Sequence, residues 1–234
     1  MIAYVDARRG ISGVSLLAAL IDAGADGDEI AAALRPLSPR EAKLRAEETI
    51  VDGLRTSRLS VDGTGRVGEG PREIVHRLAA LDLPRDVVRR AADVYGRIAL
   101  AEARVHAVTP RAVRFEELAT LRSVAGVAGS VLALHRLGVE RLTTSPLPFG
   151  GGEVTTHHGR LSLPAPATLE LLKGVPVEPQ AVEGELVTPT GAALIAALAS
   201  GFGEIPPMTV GAIGVGSARS ATASIVTRVV LGRP

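Results

Sequence analysis

The chain has 234 residues, 26 basic against 25 acidic side chains, and no cysteine. That balance argues against a nucleic-acid surface driven by bulk charge, and it excludes disulfides, thiolate metal sites and a cysteine nucleophile. Apolar residues make up 46% and aromatics only 2%, so the core must be built from Ala, Val, Leu and Ile.

Ile2 to Val5 read as a short buried strand closed by Asp6. Asp6, Arg8 and Arg9 interrupt the opening apolar run, against a signal peptide. No run approaches the ~18–20 apolar residues of a membrane helix. The expectation is a soluble, cytoplasmic protein. Gly10 and Gly13 bracket Ser12, which suits the N-cap of a helix carrying Leu16, Leu17, Leu20 and Ile21. A second helix starts near Asp26 and ends before Pro36. Residues 41–63 suggest two strands with Leu44, Ala46, Leu54, Thr56 and Val61 half-buried and Asp52-Gly53 at the turn, a strong hairpin cue. Helix propensity over residues 40–52 competes with that reading. The stretch DGTGRVGEGP (62–71) reads as a loop, and it divides a single domain of residues 1–234 into two candidate lobes, 1–70 and 71–234.

Beyond it, Ile74, Leu78 and Leu81 suit a short helix, and Pro84 suits the first turn of a longer one. In that helix Val87, Ala91, Val94, Ile98 and Val105 form an apolar face, while Glu102 and His106 stand four apart. A third helix runs from about Glu117 to Leu137 and stops at Gly138. The last hundred residues alternate short strands and helices. They include a hairpin after Gly150-Gly151-Gly152 and a helix from Pro166 to Gly174. A strand then leads to a helix capped by Thr188 with Pro189 at N1, ending at Gly201, and two more strands follow. The intermixing predicts an α/β (mixed α+β) fold with a mixed sheet layered with helices.

Four groups carry candidate chemistry. The turn with Asp6, Gly10, Ser12 and Gly13 feeds a strand into a helix N-terminus, leaving N–H groups for an anion. Its spacing is neither the dinucleotide fingerprint nor a P-loop, and an ordinary turn is the commoner reading. In Thr155-Thr156-His157-His158-Gly159, adjacent strand histidines would face opposite ways and could not share one metal. One imidazole remains a candidate ligand or general acid/base. Glu185 precedes a helix N-terminus bearing Thr188, Thr190 and Gly191, another anion-ready end, although simple capping by Thr188 is more common. Finally, Glu116 and Glu117 open a helix, where the macrodipole alone favours acids.

Taken in order, DARRGISG, AEARVHAVTP with its following Phe-Glu stretch, SPLPFGGGEV, HHGRLSLPAPATLELLKGVPV, EGELVTPTGAAL and the closing GAIGVGSA and VTRVVLG resemble the first domain of the LarC-type nickel-insertion proteins. The resemblance spans nearly the whole chain. It implies insertion of nickel into a pyridinium-3,5-bisthiocarboxylate mononucleotide with CTP, a lyase-class step in nickel-pincer cofactor biosynthesis. Matched positions imply Glu117, His158 and Glu185 as catalytic candidates and Asp6, Gly10, Ser12, Gly13, Thr188, Thr190 and Gly191 as binding the mononucleotide-like ligand. His158 and His106 are the metal candidates, with Glu117 as a third ligand if the fold allows.

The departures are specific. Where the family's first loop continues Gly-Asp-Met, this chain has Gly13-Val14-Ser15. The family's His-Phe-His-Glu-Val-Gly-Ala-Val-Asp is Arg114-Phe115-Glu116-Glu117-Leu118-Ala119-Thr120-Leu121-Arg122 here, without either histidine or the aspartate. A His-rich tract is replaced by the 62–71 glycine loop. The family's C-terminal domain, to which CTP and a divalent metal are attributed, does not follow Pro234, so the expected partner is a separately encoded domain of that type, with homo-oligomerisation open. The alternatives are a non-catalytic cofactor-binding scaffold, or a metal-independent enzyme on a related anionic small molecule.

Overall fold

The computed structural model describes residues 1–37, 43–62, 65–156 and 158–234. Glu41 and Ala42 of the expected first hairpin strand, Gly63 and Thr64 of the expected loop, and His157 lie outside the described residues. The elements in order are β1 (Ile2–Arg9), α1 (Gly13–Asp22), α2 (Gly27–Leu34), β2 (Lys43–Val51), β3 (Leu54–Asp62), α3 (Pro71–Ala79), α4 (Arg85–Val105), α5 (Leu121–Arg136), β4 (Arg141–Thr144), β5 (Leu147–Gly151), β6 (Glu153–Thr156), β7 (Gly159–Ser162), α6 (Pro166–Leu171), β8 (Val177–Glu183), α7 (Pro189–Leu198), β9 (Gly201–Phe202), β10 (Thr209–Arg219) and β11 (Ser224–Arg233).

A seven-stranded mixed sheet in the order β2-β3-β10-β11-β1-β4-β9 forms the main layer. β1 pairs antiparallel with β11 and parallel with β4. The mixed α/β reading therefore holds. The β2–β3 ladder pairs Val51 with Leu54 around Asp52 and Gly53, both at positive φ (50° and 76°), the geometry of a tight hairpin turn. Tertiary pairing of β3 with β10 supports strand over helix at 43–51, despite the helix formers there.

α1 is buried from Gly13 to Leu20, because β10 lies beneath it and α5 above it. Glycines permit that close approach: a Cβ at Gly216 would fall 2.0 Å from the Ser15 carbonyl oxygen, and one at Gly214 would fall 2.0 Å from that of Ala19. On the other side, Gly126 of α5 packs against the backbone of Gly13 and Val14. α2 is capped by Asp26, whose side chain accepts from Glu29 N–H, and α4 buries Val87, Ala91, Val94 and Ile98 as expected. Val105, the last residue of α4, is exposed instead.

Three boundaries differ from expectation. The third long helix begins at Leu121, because Thr120 rather than Glu117 caps it; Glu117–Ala119 is a separate 3-10 turn. Residues 184–187 form no named strand, only a bridge from Val187 to Ile11. α7 ends at Leu198, and Gly201 opens β9 beside Thr143. No helix among the described residues is long and apolar enough to cross a membrane.

Candidate functional site

The β1–α1 turn and the N-terminus of α7 meet and hydrogen-bond to one another. Gly10 sits at φ 102°, and a Cβ there would lie 2.6 Å from the Leu186 carbonyl oxygen. Ile11 N–H donates to Leu186 O (2.8 Å), and Thr188 N–H donates to Ile11 O (3.1 Å). Ser12 and Ser15 form a reciprocal cap: Ser15 N–H donates to Ser12 Oγ (3.1 Å), and Ser12 N–H to Ser15 Oγ (2.9 Å). Gly13 N–H donates to Thr190 Oγ1 (3.2 Å), while Thr188 Oγ1 accepts from Gly191 N–H (3.3 Å). Thr227 ties the floor by donating to Gly10 O (3.0 Å).

Gly10, Ser12, Gly13, Thr190 and Gly191 are all buried, and Thr188 is half-buried. The N–H groups of Gly10, Ile11, Ser12, Gly13, Ser15, Thr188 and Gly191 thus hydrogen-bond within the chain, and the junction holds residues 185–187 in place. Asp6 stands apart from it. Its carboxylate accepts from Arg228 (2.6 Å) and from Arg8 N–H (3.2 Å).

The segment held by this junction carries Glu185. Its N–H donates to Thr222 Oγ1 (2.9 Å), and its side chain is half-buried. Burial, with the negative charge of Glu117 nearby, pushes the Glu185 carboxyl up to about 7. Glu117 comes from the 3-10 turn before α5, where Thr120 and Ser123 hydroxyls both donate to its carbonyl (2.8 and 2.9 Å). Two carboxyls distant in sequence therefore share one electrostatic environment, and Glu185 can hold or release a proton near neutral pH.

The metal candidates meet elsewhere on the chain. His106 closes α4, and its Nε2 lies 3.3 Å from Glu102 Oε2. The β6–β7 hairpin brings His158 over it, with ring centroids 4.8 Å apart. His158 lies in the hairpin turn, its N–H donating to Thr156 Oγ1 (3.1 Å), so the strand-alternation argument does not govern it. The imidazoles share their surroundings with Glu102, whereas Glu117 acts on Glu185. Among the described residues, no group of three His, Asp or Glu side chains stands ready to hold a metal ion.

Sequence reasoning missed Thr222 beside Glu185. A short Ser-Ala-Thr-Ala loop between two strands carries no distinctive pattern. The nearness of Arg122 to Arg58 was also not anticipated. Burial and that like charge hold the Arg122 guanidinium below its ordinary range, and it donates to the Leu59 carbonyl (3.4 Å).

A family profile described as nickel insertion protein matches residues 3–233. The chain belongs to the nickel insertion protein family. It is 42% identical over 216 residues to a pyridinium-3,5-bisthiocarboxylic acid mononucleotide nickel insertion protein of Nocardioides sp. (strain ATCC BAA-499 / JS614), covering 92% of this chain and 55% of that protein. It is 37% identical over 216 residues to the protein of the same name from Desulfitobacterium hafniense (strain DSM 10664 / DCB-2), covering 92% and 54%. The chain thus spans about half the length of the curated relatives it matches. No solved structure matches it.

Proposed function

We propose that this chain takes part in nickel-pincer cofactor biosynthesis by handling nickel(II) for insertion into the pyridinium-3,5-bisthiocarboxylic acid mononucleotide named for its relatives. The geometric observation that carries the reading is the juxtaposition of His106 and His158, at 4.8 Å between rings, beside Glu102. Imidazole nitrogen is the best nickel donor this cysteine-free chain offers, and the pair supplies two of them.

The chemistry of the ligand assigns the second carboxyl group a task. Thiocarboxylates at ring positions 3 and 5 flank one carbon, which carries a hydrogen. A nickel ion held by both sulfurs and bonded to that carbon must displace the hydrogen as a proton. In this reading nickel passes from the histidine pair to the sulfurs of a ligand seated at Glu185, and the ionised Glu185 accepts that proton, forms the neutral acid and then releases it to solvent. An acid with its pKa near 7 suits both halves of that exchange. Glu117 favours return to the protonated form by its charge. The CTP-dependent and divalent-metal step falls to the part of the relatives' length that this chain does not span, supplied by a partner domain. In this reading the protein works in the cytoplasm.

The test is nickel titration of the tag-free protein by calorimetry, with and without the thiolated precursor. Stoichiometric binding that His158→Ala abolishes supports nickel handling by this pair. Nickel binding no tighter than to an unrelated protein, with precursor binding retained, overturns it in favour of a carrier.

A further inference from the structure

Away from both groups, α3, α4 and the Pro110-Arg111 turn border an open surface groove of about 590 Å³. That volume falls within the range of small-molecule sites. α4 is usually described by its inward face, yet it carries a second one. Ala92, Gly96 and Leu100 recur at four-residue spacing on the side that borders the groove, and Leu100 is 55% exposed. Small side chains make the concavity: Ala79 closes it from α3, and a Cβ at Gly96 would meet nothing within 4 Å.

The charge of its rim favours an occupant with an anionic head. Arg72, His76 and Arg111 border the groove, no acidic side chain does, and none of these three has an ion-pair or hydrogen-bond partner among the described residues. Most other arginines of α3 and α4 are paired, among them Arg77 with Glu73, Arg90 with Asp86, and Arg97 with Asp93.

We propose that the α3–α4 groove is a binding site for an amphipathic carboxylate, its apolar body lying over Ala79, Ala92 and Gly96 and its anionic head held by Arg72 and Arg111. The site is separate from the nickel-handling residues, and its failure leaves that reading untouched.

The probe is dodecanoate, titrated by calorimetry below its micelle concentration. 1-Dodecanol and dodecyltrimethylammonium serve as the neutral and oppositely charged controls. The expected result is saturable one-to-one binding of dodecanoate, with both controls at least about tenfold weaker. Gly96→Leu fills the groove, and Arg72→Glu with Arg111→Glu reverses its charge. Each is expected to cost at least about tenfold in affinity while circular dichroism stays unchanged. Absence of binding to the unaltered protein overturns the proposal, as does equal binding of the cationic control. Retained affinity in folded Gly96→Leu also overturns it.

Discussion

Glu185 is the residue at the candidate site whose ionisation its surroundings visibly shift. Its carboxyl is raised from the ordinary 4.5 to about 7, first by burial and then by Glu117. The raised value makes its ionisation a stability cost. Between pH 4.5 and 7 the unfolded chain sheds this proton while the folded one retains it, so stability falls across that window and levels off above it. Glu185→Gln removes the ionisation. It is expected to stabilise the fold by about 1–3 kcal/mol at pH 8 and by almost nothing at pH 4, measured by urea unfolding at the two pH values. The same variant is expected to lower nickel insertion by about a hundredfold or more, the ordinary yield of a general base. Stabilisation without loss of insertion would leave Glu185 as a buried acid with no part in the chemistry.

At the scale of elements, the contact between α1 and β10 depends on alternate glycines. Gly214 and Gly216 face α1 because strand neighbours two apart share a side, and both would drive a Cβ into helix backbone at 2.0 Å. Gly216→Ala is therefore expected to destabilise by about 3 kcal/mol, at the upper end of overpacking costs. Gly211→Ala in the same strand would meet only the Leu231 carbonyl oxygen at 3.7 Å, an ordinary contact, and is expected to change stability by less than about 0.5 kcal/mol. Thermal unfolding of the two variants checks the pair. Ser12→Ala removes one half of the α1 cap and is expected to cost about 1 kcal/mol by the same measurement.

These elements also show what local chemistry reveals before a structure is known. The Ser12 and Thr188 caps were legible because a cap is a contact between near neighbours in sequence, and a helix start near Asp26 was legible too. The Asp52-Gly53 turn was legible for the same reason. β8 was not, because its seven residues are almost all exposed and show no alternation. Its pairing with β5 is tertiary. The Glu117–Glu185 environment and the His106–His158 pair depend on chain reversals far from either residue, so residue type could nominate their members but not join them. The internal bonding of the Gly13 N–H was equally hidden, since Thr190 reaches Gly13 across the fold.

For the whole molecule, the main sheet interleaves distant parts of the chain. β2 and β3 precede the glycine loop, yet β3 pairs with β10 from the far end. β11 runs between β10 and β1, pairing Gly214 with Val229 on one side and Val5 with Val229 on the other. Such pairings carry a large loop-closure cost, which slows folding. That order of strands bears on how the protein is made. Of the seven strands, the one that joins the two halves of the sheet is the last to leave the ribosome. Until residues 224–233 emerge, β1 and β10 each present an unpaired apolar edge, the kind of surface on which nascent chains aggregate. Ribosome-bound chains stalled at residue 223 are expected to remain protease-sensitive, and those extended well past residue 234 by a linker to become resistant. Synthesis rate and chaperone supply then join equilibrium stability in setting how much of this protein a cell obtains.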